Sequence, residues 1–135
     1  MIRKALVLAA LSSGFIGGSA LADDDWVGLY AGIHASDGSY DHMSIVPAGN
    51  GMFEFVITTH RLTFCGESPG WNQGTLAMSD GALVSQEETI TCVDGTEAET
   101  PPGFRLTFVD GDDLILLGPQ SGDLVGIYFH RISAD

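Results

Sequence analysis

Few groups of side chains in this chain could do chemistry, and the densest runs from His34 to His42. His34, Asp37, Asp41 and His42 fall within nine residues. Two imidazoles and two carboxylates suit a divalent transition metal, provided that both rings reach one face. Asp37-Gly38, between two apolar alternations, reads as a two-residue hairpin turn. That register sets Ser36 against Ser39, His34 against Asp41, Gly32 against Met43 and Tyr30 against Ile45. His34 and His42 then fall on opposite faces, so no metal is expected, and His34 and Asp41 should form an exposed cross-strand pair. Asp110–Leu114 ("DGDDL") lacks the spacing of a calcium loop and its closing bidentate Glu, and reads as a solvated turn. His60 and His130 stand beside Arg61 and Arg131 at strand ends and read as surface residues. There is no GxSxG elbow, P-loop or HExxH, and spacing singles out no carboxylate pair. The chain is therefore read as a binder rather than an enzyme, with no cofactor.

The beginning of the chain has its own logic. Arg3 and Lys4 form a positive start, Ala5 to Phe15 an apolar stretch, and Ala20-Leu21-Ala22 a small-x-small cleavage site. That is the pattern of an export signal over residues 1–22. The stretch is short for a membrane span, no second one follows, and no cysteine stands at the boundary, so no membrane anchor is expected. What remains, residues 23–135, is the length of one compact domain, placed in the periplasm or outside the cell. This part holds three arginines, no lysine and 18 acidic residues, a formal charge of −15. Nucleic acid and anionic membrane surfaces are disfavoured by that balance, which reads as solubility. Cys65 and Cys92, an even pair in an oxidising compartment, read as one disulfide that contributes roughly 3 kcal/mol.

The elements that must position these residues are short. After Asp23 no stretch shows the helical period; apolar alternations are instead separated by turn signals. "GLYAGIHAS", "SYDHMSIV", "MFEFVIT", "RLTFC", "GTLAM", "ALVSQEETITC", "FRLTFV", "LILLG" and "LVGIYFHRI" read as strands. "GESPGWNQ" and "VDGTEAETPPG" read as loops. The fold class is all-β: a single up-and-down antiparallel barrel of eight or nine strands, closed so that no edge is exposed. Trp26, Gly28, Tyr30, Gly32, Met43 and Ile45 share one face, which is taken as the interior. Phe53, Phe55 and Ile57 join it by alternation, then Phe64, Met78, Phe108 and Phe129. Leu62, Leu76, Leu106, Leu116 and Ile127 complete the apolar candidates. Such a lining would be aromatic-rich and poor in charge, suited to an apolar molecule and hostile to an ionic one.

Trp26-x-Gly28-x-Tyr30 at the first strand, the meander, and a closing aromatic-x-x-Arg (Tyr128 to Arg131) resemble the calycin barrels, the superfamily of lipocalins and avidins. More narrowly, the chain resembles small exported bacterial lipocalin-like domains. The resemblance implies that Trp26 lies across one closed end and packs on Arg131. It also implies a binding module with a small apolar or amphipathic ligand inside the barrel, held by the interior residues just named. A second reading is a secreted inhibitor of a protein partner, resembling bacterial metalloprotease inhibitors, with Asp23 to Asp25 entering the partner's cleft. A third is a barrel filled by its own side chains.

Overall fold

Apolar residues at every second position form strands when they find a common interior. The computed structural model describes residues 25–34, 37–98, 103–111, 113–121 and 126–133. The expected export signal (residues 1–22), Asp23, Asp24 and Ser36 lie outside the described residues. The strands are β1 (Gly28–Ile33), β2 (Tyr40–Gly49), β3 (Met52–Leu62), β4 (Ser68–Ser79), β5 (Ala82–Cys92), β6 (Glu97–Ala98), β7 (Arg105–Asp110), β8 (Leu114–Gly118) and β9 (Ile127–Ser133). All barrel neighbours are antiparallel. From β1 through β5, and from β7 through β9, each strand pairs with the next, and β5 pairs with β7. β9 returns to pair with β1, so eight strands close a barrel, while β6 attaches to the end of β5. The β5–β7 ladder is the shortest in the ring, with only Leu83–Leu106 and Val84–Arg105 paired. Phe104 extends that seam: its N–H donates to Ser85 Oγ at 2.9 Å, and its carbonyl accepts from Ser85 N–H at 3.1 Å.

Turn chemistry explains both the agreements and the departures. Asn50-Gly51 and Asp80-Gly81 each have φ positive at both residues, between directly paired Gly49–Met52 and Ser79–Ala82. These are the mirror-image turns whose twist matches a hairpin. Asp37-Gly38 behaves differently. Only Gly38 takes a positive φ, and Asp37 Oδ1 accepts the N–H of Ser39 at 2.9 Å. The loop is wider than two residues, and the β1–β2 register lies two residues from the expected one: Tyr30 faces Met43 and Gly32 faces Asp41. A slip of two preserves the faces, so the expected interior set of β1 and β2 stands. "RLTFC" is not a separate strand. β3 continues through Leu62, a 3-10 turn covers Thr63–Cys65, and Gly66 and Glu67, both at positive φ, reverse the chain straight into β4. The expected "GESPGWNQ" loop is therefore mostly strand.

Cys65 and Cys92 are bonded, with Cα atoms 5.5 Å apart. The bond ties the 3-10 turn to the end of β5. Gly70 makes the approach feasible, because a Cβ there would lie 2.7 Å from Thr91 O and 3.0 Å from Cys65 Sγ.

One end of the barrel is packed solid. Trp26 stacks on Phe108 with ring centroids 4.1 Å apart. Tyr30 donates its hydroxyl to Trp26 O at 2.8 Å. Arg131 closes this end: Nη1 donates to Val27 O at 2.7 Å, Nη2 donates to Asp25 O, and Nε lies 3.7 Å from Asp113.

Candidate functional site

The opposite end is built differently, and a β-bulge is the cause. Leu76 pairs with Ser85 but Thr75 pairs with Glu87, which leaves Gln86 as the extra residue in β5. An extra residue switches the inward parity of a strand. Leu83 and Ser85 face inward before it, Glu88 and Ile90 after it. The bulge presses the Glu87 carbonyl onto Gly74, where a Cβ would sit 1.7 Å from that oxygen. A carboxylate is thereby turned inward. Glu88 accepts a hydrogen bond from Asn72 Nδ2 at 2.8 Å and another from Ser85 Oγ at 3.4 Å. Gln120 Nε2 donates to Ser85 O at 3.4 Å.

From β2, Asp41 joins the same end. It lies opposite Gly32, is only 2% exposed, and its Oδ1 has no hydrogen-bond partner. Asn72 Oδ1 is likewise buried and unpartnered. Both line a cavity of about 270 Å³ that Glu88 and Thr59 also border. Its apolar wall is Ile57, Ile90, Phe104, Leu117 and Ile127. His34, Arg61 and the 3-10 turn form its rim, and Arg61 is engaged with Glu67 at 3.1 Å. A larger concavity, of about 360 Å³, lies outside the barrel around Gly74. Glu54, Val56, Gln73 and Glu87 on it are solvent-exposed.

Burial pushes the Asp41 carboxyl above its usual range, and nearby Asp37 adds to this, while Thr59, His34 and His42 oppose it. A raised value in the folded state means that the protonated form fits the fold better. The stability from this group is fully present below the unfolded value near 3.8 and is lost as pH rises through the folded value. Asp41→Asn should remove that loss, so its urea midpoint should change less with rising pH than that of the parent. Parallel midpoint-against-pH curves for parent and variant would refute this.

The expected site residues divide between the two ends. Trp26, Tyr30, Met43, Ile45, Phe53, Phe55 and Phe129 are buried to within 2% and belong to the packed core. Phe108, half-buried, covers Trp26 there. Of the expected apolar set, Ile57, which is buried, and Ile127, which is partly buried, reach the cavity wall. Phe64 does not line the interior: the 3-10 turn carries it to the rim, 57% exposed. Met78, in the last turn-ward residues of β4, is 37% exposed rather than enclosed. The expected Trp26–Arg131 stack is replaced. Both residues stand at the closed end, but the guanidinium lies over the Tyr30 ring at 5.0 Å, and Phe108 occupies the indole face. Nor does an exposed His34–Asp41 pair form. His34 Nδ1 lies 4.0 Å from Asp37, and Asp41 points inward. Leu116, though buried, pairs with Thr107 and Tyr128 outside the central cluster, and Ile115 is the residue that joins it. The interior is thus not uniformly poor in charge.

Sequence reasoning missed Asp41, Asn72, Ser85, Glu88 and Phe104. The first was findable, since it stands two residues before Met43 and four before Ile45 in the same alternation. Among the described residues no group of three or more His, Cys, Asp or Glu side chains converges as a metal site.

These features define a closed, eight-stranded antiparallel barrel with one disulfide, compatible with a calycin-type barrel. No protein-family model matches the chain, and no curated protein matches it.

Proposed function

We propose that this is an exported binding protein that holds a compact amphipathic molecule at the polar end of its barrel. The observation that carries the reading is the cavity itself: one apolar wall, one polar wall, and, on a residue that lines it, a buried carboxylate oxygen without a partner. A buried polar atom without a partner costs about 1–3 kcal/mol, and a ligand donor offsets that cost. The cavity lies just below the ~300–1,000 Å³ typical of drug-sized ligands, which favours a ligand of one ring or a short chain over a retinoid or a full acyl chain. The disulfide accords with an oxidising compartment, and so supports export.

The test is a titration with compact amphipathic probes, neutral and charged alike, followed by methyl NMR. Saturable shifts centred on Ile57, Leu117 and Ile127 are expected with at least one probe. Trp26 fluorescence should stay unchanged, because the indole is sealed under Phe108 at the other end. Absence of a saturable shift with every probe would overturn the reading.

A further inference from the structure

The polar wall of the cavity is one-sided. Among the described residues that line it, Asp41 and Asn72 each hold a buried side-chain oxygen without a partner, Oδ1 in both, and both are acceptors. Glu88 behind them already accepts from Asn72 and Ser85, so it adds negative potential without needing a donor. The cation nearest the rim, Arg61, is drawn toward Glu67. His34 on the rim lies near Asp37. A ligand that completes this wall must bring hydrogen-bond donors, and one that carries positive charge also gains from the carboxylates.

Resting on the reading of this cavity as a binding site, we propose that it takes the protonated amino group of a compact amphipathic amine. An ammonium has three N–H donors and no acceptor, the complement of two orphan oxygens beside a second, engaged carboxylate. The hydrocarbon or ring of the amine lies along Ile57, Phe104, Leu117 and Ile127. The strongly acidic chain adds a long-range field that draws cations and repels anions. A carboxylate ligand, by contrast, would meet Asp41 and Glu88 as like charges and leave both orphan acceptors unsatisfied.

Three probes of matched shape separate the alternatives: 2-phenylethylamine, 2-phenylethanol and 3-phenylpropionate, each titrated calorimetrically into the disulfide-intact protein near neutral pH. The amine should bind about tenfold or more tightly than the alcohol, the difference that a charge-assisted hydrogen bond makes, and the carboxylate should be the weakest. Asp41→Asn removes a charge from the wall and should weaken the amine more than the alcohol, so that the amine's advantage shrinks by a factor of about ten. Saturable binding of either probe to the variant then reports an intact cavity. The order of the three probes on the parent protein needs no variant, so the decision stands even where Asp41→Asn fails to fold. An alcohol that binds as tightly as the amine, or a carboxylate that binds more tightly, overturns the amine assignment and leaves the binding function in place. If none of the three binds, both fall.

Discussion

Gly74→Ala should abolish the native barrel or cost it more than about 4 kcal/mol, a loss found only where a core or backbone feature breaks. The added methyl would overlap the Glu87 carbonyl, and a backbone group in a paired strand cannot swing aside as a side-chain tip can. The nearest escape is to undo the bulge. Without the extra residue, the parity of β5 beyond Ser85 changes, and Glu87 rather than Glu88 faces Asn72. The variant should therefore show a much lower denaturant midpoint and, in any folded fraction, loss of the Asn72–Glu88 hydrogen bond. Gly81→Ala, at a positive-φ turn with open space around it, is the control for backbone strain alone and should cost far less. Equal, small losses in the two variants would show that the bulge is not held by Gly74.

Replacing both cysteines by serine should lower stability by roughly 3–4 kcal/mol, from the chain entropy released when a crosslink spanning 27 residues is removed. For a domain of this size that corresponds to a melting temperature about 12–17 °C lower. The loss is expected to be uneven. The crosslink holds the 3-10 turn beside the end of β5, and Leu62 to Phe64 on that turn form part of the cavity rim. Amides of residues 62–68 should then exchange with solvent faster than those around Trp26, which are secured by Arg131 and the aromatic stack. A loss under about 1 kcal/mol, or uniform exchange, would mean that the rim is held by its backbone hydrogen bonds rather than by the disulfide.

How much of this was legible in the residues follows from how local each signal is. Period-two alternation with turn dipeptides makes the all-β barrel readable, and the paired cysteines make the disulfide readable. Even the inward face of β1 and β2 was correctly drawn from a wrong register, because an error of two residues leaves each side chain on its own face. The polar end was less accessible. Asp41 follows the alternation, yet as the expected cross-strand partner of His34 it reads as an exposed residue. Glu88 could not be reached by alternation at all, since the bulge at Gln86 reverses the count, and bulges depend on the partner strand as much as on the bulged one. Asp37-Gly38 and Asp80-Gly81 are the same dipeptide with different outcomes. At the first, the Asp37 side chain takes the Ser39 N–H and widens the loop. At the second, Asp80 itself takes a positive φ.

The pairing of β9 with β1 also sets the timing of assembly. Val27 and Arg131 touch across 104 residues of sequence, so a chain made from its amino end cannot seal the ring until its last strand has arrived. Until then β1 and the growing end of the meander each present an unpaired edge, the state in which β proteins aggregate. Distant pairings of this kind slow folding into the millisecond-to-second range, because the ring must be closed before its contacts contribute. Arg131 is thus the residue that ends the vulnerable interval: once it reaches the carbonyls of Asp25 and Val27, the open sheet becomes a barrel without a free edge in its wall.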